Sequence, residues 1–257
     1  MATVREIEAK LYDWAPHELA ESWDNVGLLV GSGEREVKKI LVALDITETV
    51  AQEALDLGAD LIVAHHPVMN CTWHKVQNVL DDNTQGRILT KLLKNDVAAI
   101  CMHTNLDAAE GGVNDCLAEK LGICDTIPLT EEKIGRAGTL SCEKGLEEFL
   151  SVVVKSLNCK GLRYCDGGKR VYKVAVGGGA CGDFIEQAIA LGCDTFVTSD
   201  LSYHEFLDTQ GLNLIDAGHF PTENVVCDAM KSYLDKHFPD TEIVISTLHR
   251  DVIQYYM

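Results

Sequence analysis

The chain has 257 residues, enough to bury one large core or two smaller ones, and carries 22 basic against 40 acidic side chains for a formal net charge of -18. A hydrophobic share of 46% with five prolines excludes a disordered or low-complexity chain. The acidic balance argues against a nucleic-acid backbone or an anionic bilayer as partner, yet leaves an anionic small molecule open wherever bound cations reverse the local sign.

In chain order, residues 4–12 carry apolar side chains at helical spacing, and a second short helix is predicted through 17–20. Residues 39–44 read as a core strand, 48–57 as an amphipathic helix stopped by Gly58, and 61–64 as the next strand, a βαβ unit. A helix over 86–95, a strand over 97–102 and a helix over 113–121, opened by Gly111-Gly112, follow. Between Ile123 and Gly138 the periodicity lapses, which places a domain boundary near residue 127. Beyond it the pattern predicts a helix over 145–157, a strand over 171–176, a helix over 183–191 and strands over 195–198 and 212–218.

The expected fold class is α/β, with two α/β domains and a dinuclear metal centre at strand ends. The first domain is discontinuous, 1–127 plus 211–257, and 128–210 is inserted as the second. Residues 187–200 can be laid over 53–66, both leading a helix into Gly-x-Asp and a strand. Chance and duplication explain this equally well. The overlay sets Ser199-Asp200 opposite His65-His66, so no second metal centre is expected.

Three apolar runs end in histidine. Leu61-Ile62-Val63-Ala64 ends in His65-His66-Pro67; 97–102 leads into His103-Thr104-Asn105-Leu106-Asp107; and 212–218 leads into His219-Phe220-Pro221-Thr222-Glu223. Ligands of open α/β sheets bind at the carboxyl ends of strands, and imidazole is the commonest nitrogen ligand of borderline metals. The mixed set His65, His66, Asp107, His219 and Glu223 suits zinc, iron or manganese better than calcium or magnesium. Adjacent residues on a strand face opposite ways, so His65 and His66 are expected to diverge toward two ions, bridged or capped by Asp107 or Glu223. A discontinuous first domain would carry His219 back to His65.

Several assignments stay open at this stage. Glu223 can instead cap the helix that Pro221 begins. His103 is either a sixth ligand or, as preferred, a catalytic acid/base beside the metals. Asp45 can orient a histidine or water, or cap the helix at Glu48. His204, with Glu205, is a candidate substrate contact, and His74 a candidate for the cleft or the surface. Gly177-Gly178-Gly179 could admit a phosphate near the backbone, although the P-loop pattern is missing. The ten cysteines form no CxxC pair, which points to free thiols, a cytoplasmic chain and no cysteine zinc site.

Ala64-His65-His66-Pro67, His103 to Asp107 with the following Ala108-Ala109-Glu110-Gly111-Gly112-Val113-Asn114, and Asp216-Ala217-Gly218-His219 through Glu223 resemble the motifs of the NIF3-like family, the GTP cyclohydrolase 1 type 2 homologs. Trp23-Asp24-Asn25-Val26-Gly27-Leu28 is similar to its opening motif. The resemblance runs over essentially the whole chain and matches the short form, without an extra middle domain. It implies two divalent transition-metal ions held by His65, His66, Asp107, His219 and Glu223, with His103 nearby but outside the ligand set. It further implies a ring-shaped homohexamer and a hydrolase opening the guanine ring of GTP or acting on a related small molecule. A metal-dependent phosphoester hydrolase and a noncatalytic metal-binding scaffold or regulator are the alternatives. Neither nucleic acid nor membrane is expected as a partner.

Overall fold

The computed structural model describes residues 1–69 and 79–256, so the expectation for His74 lies outside the described residues. The chain divides into two compact units, Met1–Glu110 with Cys227–Arg250, and Gly111–Val226 with Asp251–Met257.

The first unit is built on a five-stranded sheet in the order Glu242–Ile245, Lys39–Ala43, Leu61–Ala64, Ala98–Cys101, Gly27–Val30. The first four strands are parallel and the last runs antiparallel. Leu61–Ala64 and Ala98–Cys101 are buried throughout, as unbroken apolar runs are in sheets covered on both faces. The helix Glu48–Leu57 starts where the Thr47 hydroxyl accepts from Val50 N and stops at Gly58, whose φ of 64° suits glycine. Its Val50, Ala51 and Ala54 pack with Ile88, Leu89 and Leu92 of the helix Thr84–Lys94 over Leu41, Ile62 and Ala99 of the sheet. Each large aliphatic side chain buried there contributes about 1.5–3 kcal/mol. Residues 4–12 are helical as part of Val4–Trp14, fixed by a Thr3/Glu6 capping box, whereas the short helix expected at 17–20 is the 3₁₀ turn His17–Leu19.

The second unit carries a six-stranded sheet in the order Ile123–Pro128, Arg136–Lys144, Val171–Val176, Thr195–Thr198, Asn213–Asp216, Arg163–Cys165. Its three central strands from Val171–Val176 onward are parallel, and the flanking ones antiparallel. Two boundaries differ from the sequence reading. The lapse near residue 127 is an edge strand, exposed at every position after Ile123, and the unit already begins at Gly111. The chain does not leave the unit near residue 210 either. Asn213–Asp216 extends the parallel run beside Thr195–Thr198, so the return comes at Cys227, and His219 and Glu223 belong to the second unit. The helix expected at 183–191 is a 3₁₀ turn, Gly182–Phe184, followed by Ile185–Ala190.

The aligned segments of the two units share one set of hydrogen bonds. Asp60 Oδ2 accepts from the backbone N–H groups of Lys38 (2.8 Å) and Lys39 (3.1 Å), and Asp194 Oδ2 from those of Tyr172 (2.9 Å) and Lys173 (2.7 Å). Lys39 Nζ donates to Leu57 O (3.0 Å) and Lys173 Nζ to Leu191 O (2.6 Å), each satisfying a carbonyl at a helix C-terminus. Gly58 and Gly192 both take positive φ (64° and 74°). In each unit the third parallel strand is followed by a five-residue helix, Thr104–Ala108 or His219–Glu223. The Gly-x-Asp similarity therefore marks a structural repeat.

Candidate metal centre

At the strand ends of the first unit, every histidine is tied at Nδ1. His65 is buried, and its Nδ1 lies 2.7 Å from Met102 O. A carbonyl only accepts, so Nδ1 carries the proton and the lone pair sits on Nε2. His66 Nδ1 meets Asp45 Oδ1 at 2.6 Å, and His103 Nδ1 meets Asp24 Oδ1 at 2.9 Å, giving the same tautomer in each neutral ring. Such partners fix ring orientation and raise ligand basicity in metal sites. Asp24 belongs to the Trp23 to Leu28 motif, and its other oxygen accepts from Thr104 N (3.0 Å) and Thr104 Oγ1 (2.6 Å). Burial alone would raise the Asp24 pKa, but the His103 and Thr104 hydrogen bonds outweigh it and hold the carboxyl well below its usual range. At Asp45 the hydrogen bonds from His249 and His66 overcome burial in the same way.

The rings of His65, His66 and His103 have centroid separations of 4.9, 5.2 and 5.6 Å, and one nitrogen from each lies within 4.8 Å of the other two. Asp107, on the helix Thr104–Ala108, brings Oδ1 to 3.7 Å from His65 Nε2. The first unit thus gathers His65, His66, His103 and Asp107, and geometry alone does not set His103 apart from the histidine pair.

In the second unit the offset of four residues places His219 Nε2 3.0 Å from Glu223 Oε2 on the helix His219–Glu223. Pro221 is tolerated because a first-turn N–H has no partner within the helix. Glu223 is the last residue of that short helix, so it does not cap the helix's start. His219 Nδ1 lies 2.5 Å from Asp200 Oδ2, and that hydrogen bond, stronger than the opposing effect of burial, lowers the Asp200 pKa. Ser199-Asp200, the counterpart of His65-His66, therefore supplies an orienting acceptor.

The triple glycine is not a phosphate cradle. Gly178 N donates to Asn114 Oδ1 (2.9 Å) and Gly179 N to Thr222 Oγ1 (3.1 Å). What Gly179 provides is room: a Cβ there would lie 2.2 Å from Glu223 Oε1 and 3.2 Å from His219 Nε2. His204 is exposed on the helix Tyr203–Asp208, its ring edge-on to Tyr203.

Sequence reasoning missed three supports, Asp200 beside His219 being one. Asp24 was visible as part of a motif but without a role. His249 meets Asp45 Oδ2 through Nε2 at 3.0 Å, a contact with no local signal because 204 positions separate the pair. None of the nine cysteines among the described residues is in a disulfide; burial pushes the thiols of Cys101 and Cys227 up to about 12.

The donors fit a borderline divalent metal: imidazoles whose Nδ1 ties leave Nε2 to bind an ion, accompanied by carboxylates. No helix among the described residues is long and apolar enough to cross a membrane.

A family model described as Duf34/NIF3 (NGG1p interacting factor 3) matches residues 2–252. A Clostridium perfringens protein named GTP cyclohydrolase 1 type 2 homolog is 38% identical over 256 residues, 95% of each chain. Its namesake from Clostridium acetobutylicum is 34% identical over 98% of each. Among solved structures, a Bacillus cereus protein related to NIF3 is similar with a TM-score of 0.91 at 26% identity, covering 100% of this chain and 99% of that one. Reduced HcgD from Methanocaldococcus jannaschii has a TM-score of 0.81 at 30% identity, covering 95% and 97%.

Proposed function

The chain belongs to the Duf34/NIF3 family, and we propose that it is a dinuclear-metal-dependent hydrolase acting on the purine ring of GTP or a related small molecule. His65, His66, Asp107, His219 and Glu223 hold two divalent transition-metal ions, zinc, iron or manganese, in this proposal. The observation that carries it is the common tie at Nδ1: His65, His66, His103 and His219 each face a carbonyl or carboxylate there. Isolated surface histidines have no need of such a partner, whereas metal ligands and proton carriers do.

Bound divalent ions supply Lewis acidity and water of lowered pKa. The chain's own residues do the rest. His103, its Nδ1–H held by Asp24, takes a proton at Nε2 as a first water adds to the ring carbon and returns it to the departing ring nitrogen, leaving a formamide; a second water, handled in the same way, splits the remaining C–N bond and frees formate. Asp45 and Asp200 keep the rings of His66 and His219 from turning. The functional assembly is a cytoplasmic homohexamer without membrane or nucleic-acid partners.

Metal-replete protein incubated with GTP is expected to release formate. Phosphate without formate selects the phosphoester reading, and stoichiometric metal with no turnover across a broad metabolite panel selects the scaffold.

A further inference from the structure

His66 is held from behind by more than Asp45. One Asp45 oxygen accepts from His66 Nδ1 at 2.6 Å, and the other lies 3.0 Å from His249 Nε2. The His249 side chain is only 5% exposed. Its Nδ1 lies 3.4 Å from Leu44 N, which can only donate, so the ring proton sits on Nε2 and points at Asp45. The carboxylate is therefore gripped by two imidazoles and cannot swing away from either without losing a charge-assisted hydrogen bond.

His249 is itself anchored. After the strand Glu242–Ile245 the chain continues the ladder, with Ser246 N donating to Val42 O at 2.8 Å. The Ser246 hydroxyl then accepts from His249 N at 3.0 Å. Glu53, a carboxylate 6% exposed on the core side of the helix Glu48–Leu57, accepts from the Ser246 hydroxyl, from Thr247 N (2.8 Å) and from Thr247 Oγ1 (2.9 Å). A carboxylate so enclosed costs stability unless it is fully hydrogen-bonded, and here its bonds all fix the segment that delivers His249.

We propose that His249 is a positioning residue which, through Asp45, fixes the ring of His66 and thereby sets the metal affinity of the centre. The inference rests on the metal-binding reading of His66. Cobalt(II) separates the two, because its visible absorption reports ligand geometry. The unaltered protein, His66→Ala, His249→Leu and His249→Gln are titrated with it, with metal-free thermal melts alongside. His249→Leu is expected to weaken cobalt binding about tenfold to a hundredfold and to alter the absorption band. His249→Gln, whose amide can still donate to Asp45, is expected to recover most of the loss.

Cobalt lost in His66→Ala but bound by His249→Leu within twofold of the unaltered protein, with the same band, overturns the inference and spares the metal reading. Equal losses in His249→Leu and His249→Gln overturn it too. No cobalt binding by the unaltered protein overturns both. A test without any variant keeps the inference falsifiable should His249→Leu not fold. Ring nitrogen shifts of the metal-free unaltered protein are expected to show His66 protonated at Nδ1 and His249 at Nε2, and the opposite tautomer at His249 would end it.

Discussion

Replacing Gly179 by alanine places a single methyl against the paired donors of the second unit. The new Cβ would stand 2.2 Å from Glu223 Oε1. Restoring an ordinary contact of about 3.5 Å moves that oxygen by more than about 1 Å. Metal–ligand distances tolerate only about 0.2 Å, and a misplacement of about 1 Å at a reacting centre costs on the order of a hundredfold. Gly179→Ala is therefore expected to weaken cobalt binding by about two orders of magnitude. The variant also carries backbone strain, because φ is 67° there, worth about 1–2 kcal/mol for a residue with a Cβ. Gly192→Ala is the matched control: φ is 74°, with nothing within 4 Å of the added methyl. Denaturant melts of the metal-free proteins should show similar destabilisation in both variants, while cobalt titration should show loss in Gly179→Ala alone. Equal cobalt affinity in the two would refute the reasoning, since the clash would then leave the donors undisturbed.

His103→Ala is expected to keep its metal by elemental analysis and lose turnover, with Asp24→Asn falling in the same assay; metal loss equal to that of His66→Ala would move His103 into the ligand shell. Asp60→Ala and Asp194→Ala each remove a carboxylate that accepts two backbone N–H groups, and each should cost about 2–3 kcal/mol in urea unfolding; a cost in only one would break the equivalence of the repeats. Burial opposes ionisation of Asp60, but bonds from Lys38 N, Arg35 and Lys39 N lower its pKa. Its contribution is thus complete above pH ~4 and lost as pH falls through the lowered value, so the acid limb of stability should flatten in Asp60→Asn. Burial, then Glu8 and Glu18, push Tyr12 up to about 12, so its contribution is complete below pH ~10 and lost as pH rises from there toward 12. Tyr12→Phe should flatten the alkaline limb, and an unchanged limb would reject that cause.

The parallel strands and the histidines at their ends were legible because buried β runs are continuous in sequence and end abruptly in polar residues. Residues 171–176 and 195–198 are strands as predicted, and residues 48–57 are helical. The boundary near residue 127 misled for a physical reason. An edge strand with only Ile123 buried carries no apolar alternation to read. The return near residue 210 failed because a third parallel strand looks the same in sequence whichever sheet receives it. Within the candidate site, His65, His66, His103, Asp107, His219 and Glu223 were named from spacing. Of their orienting partners, only Asp45 was suspected, since Asp24, Asp200 and His249 act through contacts between distant positions.

The repeated hydrogen bonds of Asp60 with Lys39 and of Asp194 with Lys173 separate two kinds of position within one module. Those that lock strand to strand are the same in both copies. Those just past the strand ends hold His65-His66 in one copy and Ser199-Asp200 in the other. A mutation at the second kind of position leaves the strand-locking bonds intact, so evolution could retool one copy for donors and the other for their alignment without refounding the fold. The same division makes residues 65, 66, 199 and 200 the places to randomise when new chemistry is sought on this scaffold.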